Sequence, residues 1–252
     1  MRLVVTLFVL ISLALGKKAV SQTTIDKIRN LETRVLNTRY LANDSILEFA
    51  AQQFQLALTL DDSVELGKAH LSLAYAHFNL GNDGDDLNNL IKAREIFRKT
   101  HQEMLYAIAT LEMASMYREA VSDYFQPDSL IHSTINYFRQ AKARNLLARC
   151  YIELGLNFRN RYKRGDSSDS IIYYYTQAKI EADAIGDRNL SDVAVNDIAD
   201  YYLLRPHRNL DTVIYLSNQN IYSPYPSKRN LAVAYLNRHL ARKEQNDPDC
   251  FS

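Results

Sequence analysis

Asp128-Ser129-Leu130-Ile131, Asp169-Ser170-Ile171-Ile172 and Asp211-Thr212-Val213-Ile214 are three copies of one short pattern, in which an acid and a hydroxyl residue precede apolar ones. Asp44-Ser45-Ile46-Leu47 is a fourth copy and Asp85-Asp86-Leu87-Asn88 a looser fifth. The acids are spaced 41, 43, 41 and 42 residues apart. A period that regular marks one structural unit copied about five times. Asp and Ser ahead of an apolar helical run read as N-caps, because their side-chain oxygens accept free backbone N–H groups and the negative charge suits the positive end of the helix dipole. One helix is therefore expected to start at each copy.

A second pattern falls between the first ones: Leu73-Ala74 with His77, Met113-Ala114 with Tyr117, Leu147-Ala148 with Tyr151, and Ile198-Ala199 with Tyr202. Gly81 and Gly155 each stand seven residues after an alanine of the series. A large residue, a small one and a ring three residues later share one side of a helix, where the small residue admits a close neighbour. These residues supply the partner helix of a hairpin. On this evidence the chain resembles the tetratricopeptide repeat (TPR) family, with Ala93 and Ala178 as the second-helix alanines and Tyr175 as the matching aromatic. The resemblance spans roughly residues 40 to 240. It implies an all-α fold, a tandem helix-hairpin right-handed solenoid of about five repeats. The family's unit is about 34 residues, against a period near 42 here, and the polar run Arg159 to Ser168 in the longest gap reads as an enlarged loop. Trp is absent and Pro scarce, so the family's terminal Pro is mostly missing.

The N-terminus bears on compartment. Arg2 precedes an apolar run from Leu3 to Leu15, then small residues that suit signal peptidase, with Ala19-Val20-Ser21 before Gln22 as the preferred cut and Ala14-Leu15-Gly16 as the other. The run is too short to span a bilayer comfortably, so an export signal over 1–21 is expected, with no membrane span after cleavage and a periplasmic or secreted product. Lys17 and Lys18 keep the earlier cut and a retained anchor open as alternatives. The expected organisation is then a signal peptide at 1–21, a repeat array at 22–245 and a disordered tail at 246–252. Within it, 231–243 reads as the first helix of a further unit, as in a fragment of a longer protein.

Cleavage before Gln22 removes three of the 30 basic residues, leaving 27 against 29 acidic and a formal net charge of −2. Interspersed charges of both signs argue against nucleic acid as a partner, because duplex binding rests on a concentrated basic face. Arg159, Arg161, Lys163 and Arg164 are the strongest local basic cluster, read as a solvated loop. Cys150 and Cys250 are too few for a disulfide framework, and Cys150 reads as a small packing residue.

Chemistry-bearing motifs are lacking. The six histidines form no pair at one helical turn, and His77 stands where other units carry Tyr, so it reads as a packing ring and not a metal ligand. Acidic pairs such as Glu119 with Asp123 and Glu181 with Asp183 read as solvated or capping charges. There is no Gly-x-Ser-x-Gly elbow, no phosphate-cradling glycine loop and no Cys-x-x-Cys. Neither a catalytic residue, a metal nor a cofactor is expected. Tyr173, Tyr174 and Tyr175 point three ways on a helix, and Ile221 to Pro226 reads as either a bent connector or a contact surface.

The family resemblance further implies that first helices line a concave side. Positions one, four and five after each signature alanine then face a groove: Tyr75, Phe78 and Asn79; Ser115, Arg118 and Glu119; Arg149 and Glu153; and Asp200. Asn145 and Asn196, three before their alanines, fall on the same side. Polar side chains of mixed sign suit the backbone of an extended protein or peptide segment, the partner expected here. Ordinary exposed helix positions would show the same spacing. The function expected is a non-catalytic exported scaffold. The alternative is the sensory repeat portion of a bacterial signalling protein, with a membrane helix of about twenty residues and an output domain beyond Ser252.

Overall fold

The computed structural model describes residues 22–39, 45–120, 125–162, 169–205, 209–224 and 227–246. The expected signal segment at 1–21, Asp44 and Cys250 lie outside these residues. Eleven helices and no strand occur among the described residues. Helix α1 covers 22–38, followed by α2 (Ser45–Leu58), α3 (Ser63–Asn79), α4 (Asp83–Lys99), α5 (Glu103–Ala120), α6 (Phe125–Gln140), α7 (Arg144–Tyr162), α8 (Asp169–Asp183), α9 (Arg188–Leu204), α10 (Leu210–Ile221) and α11 (Lys228–Glu244). The fold is all-α, built from tandem helix hairpins.

The even-numbered helices bury one side chain series at intervals of four, three and four residues, which keeps a single stripe turned inward. It reads Ile46, Ala50, Gln53, Ala57 in α2; Asp86, Leu90, Ala93, Phe97 in α4; and Pro127, Ile131, Thr134, Phe138 in α6. Ile171, Tyr175, Ala178, Ala182 in α8 and Val213, Ser217, Asn220 in α10 continue it. The odd-numbered helices carry an equally regular inner stripe. Gly67, Ala107, Ala148 and Asp192 are equivalent in α3, α5, α7 and α9, and so are Ala74, Ala114, Gly155 and Ala199. This corrects the register read from sequence, which set Ala148 beside Ala74, Ala114 and Ala199. Gly155 holds that place, two turns further on.

The glycines explain why. A Cβ at Gly155 would come within 2.4 Å of Tyr175 Cε1, and one at Gly67 within 2.7 Å of Phe97 Cε1. In these two hairpins an aromatic of the second helix packs against a helical glycine of the first, which brings the backbones close enough to bury the ring completely.

The caps also differ from expectation. Asp85, Asp128 and Asp211 sit inside the first turns of α4, α6 and α10, where they complement the dipole without capping. Side chains that cap include Asp62 on Val64 N and Glu65 N (2.9 and 3.2 Å), Asp187 on Leu190 N, Asn209 on Thr212 N and Ser227 on Asn230 N. Four helix ends, those of α3, α4, α6 and α8, follow one plan. Gly81, His101, Lys142 and Gly186 take positive φ, and the next N–H returns to a carbonyl five residues back: Asn82 to His77, Gln102 to Phe97, Ala143 to Phe138 and Asp187 to Ala182.

Contacts divide the chain into two compact units, Met1–Met116 and Tyr117–Ser252. In the first, Ile28, Ala57 and Ala69 join α1, α2 and α3, with Phe54, Leu56, Leu60 and Leu66 packed around them. Arg94 joins α4 to α5 through Thr110 (2.9 Å) and Tyr106 (2.8 Å). In the second, each helix from α6 to α11 packs on the next, and α9 also touches α7 and α11, the arrangement of stacked hairpins.

Candidate functional site

The first-helix face carries ion pairs that link one hairpin to the next. Arg118 and Arg159 are equivalent residues of α5 and α7, 41 apart, and Glu153 and Asp197 are equivalent in α7 and α9, 44 apart. Within the second unit, Arg118 donates from Nε to Glu153 Oε2 at 3.1 Å, with Nη2 at the same distance. One repeat later Arg159 stands 3.9 Å from Asp197 and donates to Asp200. The first unit has its own version: Arg39 donates to both oxygens of Glu112, lies 3.8 Å over the Tyr75 ring, and Tyr75 Oη donates to Glu112 at 3.2 Å.

Of the residues expected to face a groove, Arg118, Glu153 and Asp200 belong to these pairs, and Asn145 is exposed. Asn79 and Arg149 are half-buried. Tyr75 is buried in the Arg39–Glu112 arrangement. The Glu119 side chain lies outside the described residues. Asn196 is turned away from solvent: its Nδ2 donates to the Asn230 carbonyl of α11 at 2.9 Å. It joins a seam of asparagines on backbone carbonyls, with Asn230 on Asn189 (3.1 Å), Asn237 on Asn196 (3.3 Å) and Asn220 on Asp192 (2.7 Å).

Arg159 and Arg161 correct another expectation. They extend α7 as helical residues instead of lying in a solvated loop, and Arg161 with Asn157 binds Asp128 of α6. The six-residue remainder at 163–168 lies outside the described residues. Sequence reading missed these partners because each is supplied by a residue about 30 to 40 positions away. The signal available was the equal spacing of Arg118 and Arg159.

The second-unit cluster has unusual electrostatics. Burial pushes the Asp197 carboxyl up to about 7, overcoming the opposing pull of Arg159, with Asp200 and Glu153 adding to the rise. Burial likewise raises the Tyr175 hydroxyl well above its ordinary range, and Asp197 is the first charge acting on it. That hydroxyl and Arg159 Nε are buried with no hydrogen-bond partner.

The remaining candidates resolve into packing. His70 is buried edge-on to Phe54 with Nδ1 2.8 Å from Asn89, and burial lowers its pKa. Cys150 is buried, its sulfur 3.4 Å from Thr134 Oγ1. Tyr173 is exposed, Tyr174 stacks on Tyr151 and packs at a tilt against Phe158, and Tyr175 is fully enclosed. Glu181 pairs with Arg144, while Asp183 accepts from Lys179 and Ser191. Among the described residues no group of three His, Cys, Asp or Glu could hold a metal ion, and no helix is long and apolar enough to cross a membrane. No protein-family model matches the chain, and no curated protein matches it in sequence.

Proposed function

We propose that this chain is a non-catalytic, exported TPR-type scaffold that binds a protein or peptide segment along its first-helix face. The observation that supports the reading is the recurrence of Arg118 at Arg159 and of Glu153 at Asp197 near the array's own period, with Asp200 as a further acid on Arg159, all of them partly exposed. An extended segment presents backbone donors and acceptors at regular intervals, and a face with alternating cations and anions at regular intervals is suited to it. Export rests on the Leu3 to Leu15 run and the small residues before Gln22.

Affinity capture from the native envelope, with the co-purifying protein identified and its binding region mapped to a short segment, tests this. Asn145→Trp and Asp200→Lys are expected to abolish capture while circular dichroism stays unchanged. Capture that survives both substitutions removes the first-helix face as the binding surface.

A further inference from the structure

Three successive residues of α9 face three different helices, because an α-helix turns about 100° per residue. Asp200 meets Arg159 of α7, Tyr201 packs with Tyr175 of α8, and Tyr202 packs on the cluster that holds Val213 of α10. Helix α11 repeats the first two of these relationships one hairpin later. Asn237 donates to the Asn196 carbonyl of α9 at 3.3 Å, and Arg238 donates to Asn218 of α10 at 3.2 Å. The third side of α11 is therefore the one marked by His239. Tyr235, Leu236 and Leu240 surround it at helical spacings, and they are 47%, 55% and 40% exposed. They lie opposite the buried series Asn230, Ala234, Asn237 and Ala241, with which α11 is seated on its neighbours.

On the preceding first helices the corresponding side carries a helix. Phe97 of α4 covers Gly67 of α3, Tyr175 of α8 covers Gly155 of α7, and Val213 of α10 packs with Ala199 of α9. The open side of α11 continues that series of interfaces, with apolar side chains where a second helix would rest. Its ends are charged. Lys228 and Lys243 are both exposed and flank the apolar residues on the same side, about 22 Å apart at about 1.5 Å per residue.

We propose that this side of α11 seats an amphipathic helix of a partner protein, in the place that α10 holds on α9. The partner's apolar stripe lies on Tyr235, Leu236 and Leu240, and an acidic residue at each end of the stripe meets Lys228 and Lys243. A second copy of this chain is a poorer occupant. Two α11 helices paired antiparallel through this side bring Lys228 against Lys243, and paired parallel they set each lysine against its own counterpart, so like charges meet in either direction.

The test is fluorescence polarisation of the whole chain with a labelled alanine- and glutamine-based helical peptide. The peptide carries leucines at intervals of four, three and four residues, the spacing buried in α2, α4, α6 and α8, and a glutamate beyond each end of that stripe. Saturable binding is expected, and Leu236→Asp and Leu240→Asp should each weaken it about tenfold or more with circular dichroism unchanged. A charge swap tests the ends. The same peptide with lysines for glutamates should bind the wild type about tenfold more weakly, and the double variant Lys228→Glu with Lys243→Glu should restore it while weakening the original peptide. Absence of saturable binding, equal binding of a peptide with its leucines spread round the helix, wild-type affinity in both aspartate variants, or failure of the charge swap overturns the proposal. A concentration-dependent dimer in sedimentation equilibrium that Leu240→Asp dissolves overturns it too, because a second copy then holds this side of α11.

Discussion

The ring of Tyr175 rests on the bare backbone of Gly155, with 2.4 Å between Cε1 and the point where a Cβ would stand. No side chain fits there unless the ring or the helix moves. Gly155→Ala is expected to destabilise the protein by about 1–3 kcal/mol through overpacking, even though alanine favours the helix itself by about 1 kcal/mol. Urea unfolding measures it. Gly155→Ala combined with Tyr175→Leu should cost less than the two single changes added, since the smaller side chain vacates the clash; strict additivity would show that the contact is not what requires glycine.

The hairpin count and the start of each even-numbered helix were legible because the Asp44, Asp85, Asp128, Asp169 and Asp211 patterns recur with the architecture itself. The register of α7 was not, since Leu147-Ala148 with Tyr151 imitates the signature while the equivalent small residue is Gly155, identifiable only by the ring above it. Asn196 and Arg159 were misplaced for a related reason. Helical spacing tells which face a residue occupies, but not whether the next hairpin covers that face, and here α11 covers Asn196 while Asp200 extends the Arg159 environment.

Lys142 turns the chain from α6 into α7 at φ 55°, a conformation that costs an L residue with a Cβ roughly 1 kcal/mol or more. Gly81 and Gly186 make the equivalent turns without that cost. Since Lys142 is exposed, Lys142→Gly should raise stability by about 0.5–1 kcal/mol in thermal unfolding. A loss of stability would mean that the lysine side chain contributes more than its backbone strain removes.

Asn196→Ala removes the side-chain donor that ties α9 to the Asn230 carbonyl of α11, a carbonyl that keeps its own helical hydrogen bond. A loss of about 0.5–1.5 kcal/mol is expected, concentrated at the α9–α11 seam. Amide hydrogen exchange should show α11 opening before α7 and α8 do. Uniform loss of protection across the second unit would instead indicate that the seam is no weaker than the rest.

Asp197 should leave its own mark on stability against pH. Its ordinary value is 3.8, and in the folded chain burial raises it to about 7. Between those values the folded state keeps a proton that the unfolded state has released, so the folded form binds more protons and stability falls as pH rises through the window. The penalty is absent below the unfolded value and complete above the folded one. Asparagine cannot ionise, so Asp197→Asn should match the wild type near pH 4 and exceed it progressively up to pH 8. Comparing the two proteins cancels the contributions of every other acid, including Glu153 and Asp200, to first order. Melting temperatures measured across that range would give diverging curves if Asp197 ionises against a burial cost. Parallel curves would mean that Arg159 already compensates its charge, leaving no unmet carboxylate at the α8–α9 junction.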